Sequence, residues 1–216
     1  MRESQFPWFK LLVPVVLCLT IPMVLMYLAA SESASPQGTG SLGFLMFIVL
    51  GIPICFLIPI AFVISCIGLA YPRWQLHALI CIASIASLFI GVLAGGGISN
   101  HILKNTLTRL AERSKPLITA INSYEHKFGQ PPETLEALVP EFIPKIPTTG
   151  IGATPDYQYR PLTNSSSYGD NKWVLQVHPE PLGFTTFIYL PLQDYSVLGY
   201  GNIVWKIGDW AYWNQG

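Results

Sequence analysis

The side chains that could do chemistry are few and scattered. His77, His101, His126 and His178 place no two imidazoles on one helix face at metal-ligand spacing. Glu125 and His126 are the best acid–base pair on offer, yet adjacent residues of a helix point apart, so a solvated face is expected. His178-Pro179-Glu180 reads as a turn at the end of a strand. Asp170, Asp194 and Asp209 would make an oxygen cage for calcium only if three separate loops converged. The four cysteines, Cys18, Cys55, Cys66 and Cys81, form no C-x-x-C pair and no Cys/His cluster, which argues against structural zinc. Nor is there a G-x-S-x-G, an H-E-x-x-H or a phosphate-cradling glycine loop. Asn164-Ser165-Ser166 would be a glycosylation acceptor only in a eukaryotic source. The expectation is a non-enzymatic protein with no cofactor and no bound metal.

Aromatic residues offer a different chemistry, that of binding. Trp205, Trp210, Tyr212 and Trp213 fall within residues 203–213, IVWKIGDWAYW. Read as one strand, period two puts Trp205 and Trp213 on one face and Trp210 and Tyr212 on the other. One face must cover a helix. The other, carrying Trp210 and Tyr212, is the candidate platform for a glycan, peptide or partner strand, with core packing as the plain alternative.

The elements that would hold such a surface divide the chain in two. Charged residues are 11% of the sequence against roughly 25% in soluble domains, and hydrophobic residues reach 51%. Residues 1–97 hold only Arg2, Lys10, Arg73, Glu3 and Glu32, leaving nine basic and ten acidic side chains for residues 98–216. All four cysteines lie in the apolar half, so no disulfide staples the polar half. Neither half is basic enough to point to nucleic acid. The expected organisation is a membrane domain over 1–97 and an extracytoplasmic domain over 98–216.

Three stretches, about 11–30, 43–71 and 76–97, reach the roughly 20 apolar residues of a spanning helix. Pro14, Pro22, Pro53 and Pro59 lie inside the first two, which suits kinked helices packed on one another. The first stretch could instead be a secretory signal, but its core exceeds the usual length and Leu28 spoils the best cleavage site. In the third, Ser87, Gly91 and Gly95 recur every four residues, a small-residue face for close helix–helix packing, within the chain or between chains. Gly95-Gly96-Gly97 reads as a hinge. No formally charged residue lies in any span, which weighs against a transporter.

Arg2 and Lys10 precede the first stretch, Arg73 sits in the second loop, and the first loop has no Lys or Arg. Positive-inside reasoning then places the N-terminus in the cytoplasm and residues after Gly97 outside. Lys104, Arg109, Arg113 and Lys115 pull the other way, but long domains translocate largely regardless of charge.

Beyond Gly97 an amphipathic helix carries Leu103, Leu107, Leu110, Leu117, Ile121, Tyr124 and Phe128 on one face, with only Ser114 breaking the series. Pro116 predicts a kink or a fresh start, and Gly129 with Pro131-Pro132 stops the helix. A second short helix is expected over 132–138. After Gly150 the pattern turns to period two, with strands at 157–161, 173–177, 185–190 and 203–213 and a hairpin loop over 164–171. The fold class is α+β: three transmembrane helices, then a long helix packed on a small antiparallel sheet.

Ala120-Ile121-Asn122-Ser123-Tyr124, Gly129, Pro132, Leu135, Leu138-Val139-Pro140 and Ile146-Pro147, behind an apolar helix and ahead of a small sheet, resemble a known pattern. Over about residues 76–216 the chain is similar to the type IV pilins and type II secretion pseudopilins, most of all the major pseudopilin, with its G-x-Y-P-x-x-x-x-L-x-x-L segment. The resemblance implies an interaction or assembly domain on the outer side of a bacterial inner membrane. The leader-cleavage motif and its following glutamate are absent before the third stretch, where Tyr71-Pro72-Arg73-Trp74-Gln75 stands, and Pro131 replaces the family's tyrosine.

The expected function is therefore a multi-pass protein of the bacterial inner membrane displaying a pilin-like domain outside. The alternative is an extracytoplasmic ligand-binding or sensing module on three spans. The implied partners are membrane lipid and an envelope protein or a second copy of the chain. No small-molecule substrate is indicated.

Overall fold

The structure, a computed structural model, describes residues 8–39, 41–162, 168–179, 185–198 and 202–214. The expected tail residue Arg2, the sequon at 164–166, residues 164–167 of the 164–171 loop and Glu180 of the expected turn lie outside the described residues. The chain separates into two compact units: Met1–Glu32 with Ser41–Ile102, and Ser33–Gly40 with Leu103–Gly216.

In the first unit α1 (Trp8–Ser33) runs unbroken through Pro14 and Pro22. It is followed by α2 (Ser41–Met46), a π-helical turn (Phe47–Gly51) and α3 (Ile52–Gly68). The helix α4 (Gln75–Phe128) is 54 residues long and contributes to both units, which divide between Ile102 and Leu103. Among the described residues two helices are long and apolar enough to cross a membrane, Leu12–Ser33 and α4. The stretch expected as one span over 43–71 is not a single α-helix, and its longest α-helical piece has 17 residues. Gly51 ends the π-turn and is the N-cap of α3, with Pro53 in the first turn of that helix, where its missing N–H is tolerated.

The glycine hinge is also corrected, because α4 passes through Gly95-Gly96-Gly97 without a break. Backbone proximity explains one of these glycines. A Cβ on Gly95 would lie 2.7 Å from the Met26 sulfur and 3.3 Å from the Met23 Cα of α1. Pro116 likewise does not restart the helix.

The second unit is a five-stranded antiparallel sheet in the order β1-β2-β3-β5-β4, with β1 at Gln158–Pro161, β2 at Trp173–Val177, β3 at Thr185–Tyr189, β4 at Asn202–Ile207 and β5 at Trp210–Asn214. The register pairs Tyr159 with Leu175, Val177 with Phe187 and Phe187 with Tyr212. Alternation then puts Tyr159, Trp173, Leu175, Val177, Phe187, Tyr189, Trp210 and Tyr212 on the face that meets Leu107, Leu110, Leu117 and Ile121 of α4. The apolar stripe of α4 fades at its end, where Phe128 is 50% exposed.

The sheet has a second buried face, which the two-layer expectation lacked. Val174, Ile188 and Ala211 pack there against Leu190, Tyr195 and Leu198 from the segment after β3. All five residues of β2 and of β3 are buried, as strands covered on both sides must be. The expected helix over 132–138 shrinks to a 3-10 turn at Leu135–Leu138, which buries both leucines. Thr134 (φ −139°, ψ 160°) and Val139 (φ −97°, ψ 136°) are extended on either side of it, which limits it to a single turn.

Candidate functional site

The aromatic platform expected from Trp210 and Tyr212 does not exist as a surface. Residues 203–213 are not one strand. Gly208, with φ +56°, and Asp209 form a two-residue reversal between β4 and β5. The reversal aligns Trp205 with Tyr212 across the hairpin, and their rings stack at 5.1 Å. Trp210 and Tyr212 both face α4 and are only 2% and 3% exposed. Trp210 stacks on Phe187 at 4.8 Å, and its indole N–H donates to the Ser114 hydroxyl at 3.1 Å. The Tyr212 hydroxyl donates to Thr185 Oγ1 at 3.1 Å. Trp213 turns to the second face, beside Ala211.

The small residues of α4 have a partner within the first unit. The Ser87 hydroxyl donates to the Val15 carbonyl of α1 at 2.9 Å, and the Ser99 hydroxyl donates to that of Met26 at 3.3 Å. A Cβ on Gly91 would lie 2.5 Å from the Leu19 carbonyl oxygen and 3.2 Å from that of Cys18. Pro22 deprives the Cys18 carbonyl of its i+4 helical N–H, and the bare Gly91 backbone lies close to that carbonyl. Ser87, Gly91 and Gly95 thus come together on the α1–α4 contact.

The titratable groups are dispersed. Glu125 is held by Lys172 at 2.7 Å rather than by His126, which is exposed. His178 Nδ1 lies 3.2 Å from the Thr186 hydroxyl. Asp194 accepts from the backbone N–H and hydroxyl of Ser196, bonds that hold its carboxyl below the usual range. Among the described residues no three His, Cys, Asp or Glu side chains stand close enough to hold a metal ion, so the Asp170–Asp194–Asp209 cage does not form.

Two sites went unforeseen. One is a joint built on Thr149, which is buried. Its N–H donates to the Pro155 carbonyl at 2.9 Å, its hydroxyl donates to the Thr154 carbonyl at 2.6 Å, and the Ile151 N–H donates to that hydroxyl at 3.1 Å. Beside it Gly150 takes φ +81° under the Arg113 guanidinium, which would sit 1.5 Å from an added Cβ. Gly152 N–H donates to the Ser35 carbonyl at 2.9 Å, and a Cβ on Gly152 would meet Gly38 at 2.5 Å and the Pro36 carbonyl at 2.7 Å. The Ser33–Gly40 connection is therefore a built part of the second unit. Glycines at 38, 150 and 152 were the available signal, though isolated turn glycines look the same.

The other site is a set of buried tyrosines. Burial pushes the Tyr157 hydroxyl up to about 12, partly opposed by the nearby Arg113 charge. Burial likewise raises Tyr159, Tyr189 and Tyr195 above the ordinary tyrosine value. Tyr159 donates to the Pro132 carbonyl at 2.8 Å and Tyr195 to the Asp209 carbonyl, so these hydroxyls act as structural ties.

No family model, curated protein or solved structure matches the chain.

Proposed function

We propose that this is a multi-pass protein of a bacterial inner membrane, non-enzymatic, which presents its α+β unit on the outer side as an interaction or assembly domain with a pilin-like plan. The carrying observation is α4: one 54-residue helix that begins apolar enough to cross a bilayer and ends as the amphipathic spine of a sheet domain. Pilin-like assembly by leader cleavage does not come with it, since that motif is missing.

Connectivity supports a third crossing. The Ser33–Gly40 connection after α1 and the Leu103–Gly216 segment belong to one folded unit, which supports reading both on one side of the membrane. If α1 and α4 both cross, the chain between Gly40 and Gln75 must return across, and α2, the π-turn and α3 form the path available for it. Inward groups beside lipid must find partners within the protein. Retention of α1 is favoured by its contacts with Ser87, Gly91 and Gly95, which a cleaved signal would leave bare.

Crosslinking in native membranes with identification of the captured proteins tests the assembly role. An envelope or secretion component supports it, and recovery of nothing but self-contacts counts against it. A cytoplasm-only reporter fused to the C-terminus and found active would refute the orientation. The sensing alternative draws on the Gly152–Ser35 bond, which seats the Ser33–Gly40 connection within the second unit. It would be favoured if a captured ligand altered protease access to residues 33–40.

A further inference from the structure

We infer that Lys104, reinforced by Arg109, docks the phosphate of an anionic lipid where α4 leaves the bilayer; this rests on the membrane reading above. Residues 75–104 are continuous helix, about 44 Å long at the α-helical rise. A bilayer with its headgroup layers is about 40–45 Å thick. Arg73 lies just before one end of that stretch and Lys104 closes the other, with no formally charged residue between them.

The side chains between the two ends include Leu79, Phe89, Ile90 and Leu93, all exposed, with Leu93 at 75%. They form a lipid-facing surface that brackets the hydrocarbon layer. Side chains on a helix lean toward its N-terminus. Lys104 therefore reaches back toward the bilayer, and its ammonium arrives at the headgroup level. Arg109 stands about 8 Å further along the axis, within roughly one Debye length at physiological salt.

Among the described residues neither cation is neutralised by a carboxylate. Lys104 and Arg109 are exposed, and neither joins an ion pair among the described residues. Lys115, by contrast, is held by Glu112 at 2.5 Å and lies about 16 Å beyond Lys104. The positive charge that opposes the positive-inside pattern is thus placed where phosphate is the available counter-ion.

The test is lipid selectivity of the full chain reconstituted in phosphatidylcholine vesicles doped with spin-labelled phosphatidylglycerol or spin-labelled phosphatidylcholine. The native protein should immobilise phosphatidylglycerol preferentially. Lys104→Gln should cut that preference by about fivefold, the effect of one basic residue at a membrane surface. Lys104→Arg should keep it, Lys115→Gln should leave it unchanged, and added salt should weaken it. Equal association of both labels, or a preference that Lys104→Gln does not alter, overturns the inference while leaving the membrane reading intact. Release of the protein from vesicles by alkaline carbonate overturns both.

Discussion

The Ser114 hydroxyl of α4 accepts a 3.1 Å hydrogen bond from the Trp210 indole N–H of β5 and donates one of 2.7 Å to the Ala111 carbonyl. Ser114 is fully buried among leucines, the one polar member of an otherwise apolar stripe. It fixes the rotation and height of the helix on the sheet, because only one register satisfies the indole. Ser114→Ala should destabilise the second unit by about 1–3 kcal/mol, the cost of a buried donor left without a partner. Ser114→Ala combined with Trp210→Phe should cost less than the two changes added, with a coupling of roughly 0.5–3 kcal/mol. Denaturant unfolding of the purified chain, followed by tryptophan fluorescence, checks both.

Two glycines of α4 should respond oppositely to alanine. Gly97 has open space around its missing Cβ, so Gly97→Ala should stabilise by about 0.5–1 kcal/mol through helix propensity. Gly91→Ala places a methyl 2.5 Å from the Leu19 carbonyl and should separate α1 from α4. Thermal unfolding in detergent should move up for the first and down for the second. The same shift for both would remove the close-approach argument.

Gly152→Ala should free the connection after α1. The new methyl would overlap Gly38 and the Pro36 carbonyl, and relieving it breaks the bond from Gly152 N–H to Ser35. Limited proteolysis should then cut within residues 33–40, while Trp210 fluorescence stays native. Unchanged protection would show that the bond does not anchor the segment.

Alkali should unfold the second unit before it affects the long apolar helices of the first. Below about pH 10 Tyr157 is protonated in both states and contributes no pH dependence. Above that the unfolded chain loses its proton first, since the folded hydroxyl holds on to about 12. Stability should therefore fall as pH rises through that window, with Tyr159, Tyr189 and Tyr195 steepening the loss. Phenolate absorbance rising together with loss of tertiary structure supports this. Ionisation of Tyr157 at pH 10 in the folded protein, read as the phenolate absorbance that Tyr157→Phe removes, speaks against it.

Local patterns were legible wherever one neighbour dominates. The stripe Leu103 to Ile121 and the spacing of Ser87, Gly91 and Gly95 are written in the chain's periodicity, since burial on one face leaves a helical repeat, while the strands at 157–161, 173–177 and 185–190 are marked by their aromatic and β-branched residues between turn signals. What the repeat cannot carry is the partner of each face. Trp210 and Tyr212 looked available only while residues 203–213 were one strand. The Gly208-Asp209 reversal reassigns faces, and a one-residue change of register sends every side chain to the opposite side. The continuous burial of β2 and β3 likewise hides the second core, because strands covered on both faces lose alternation. An amphipathic spine, an apolar anchor and a small antiparallel sheet were thus determined by sequence alone. That Ser114 seats Trp210, that Gly91 meets α1 and that Ser35 closes on Gly152 were decided in three dimensions, where contacts join residues too distant in the chain to leave a local pattern.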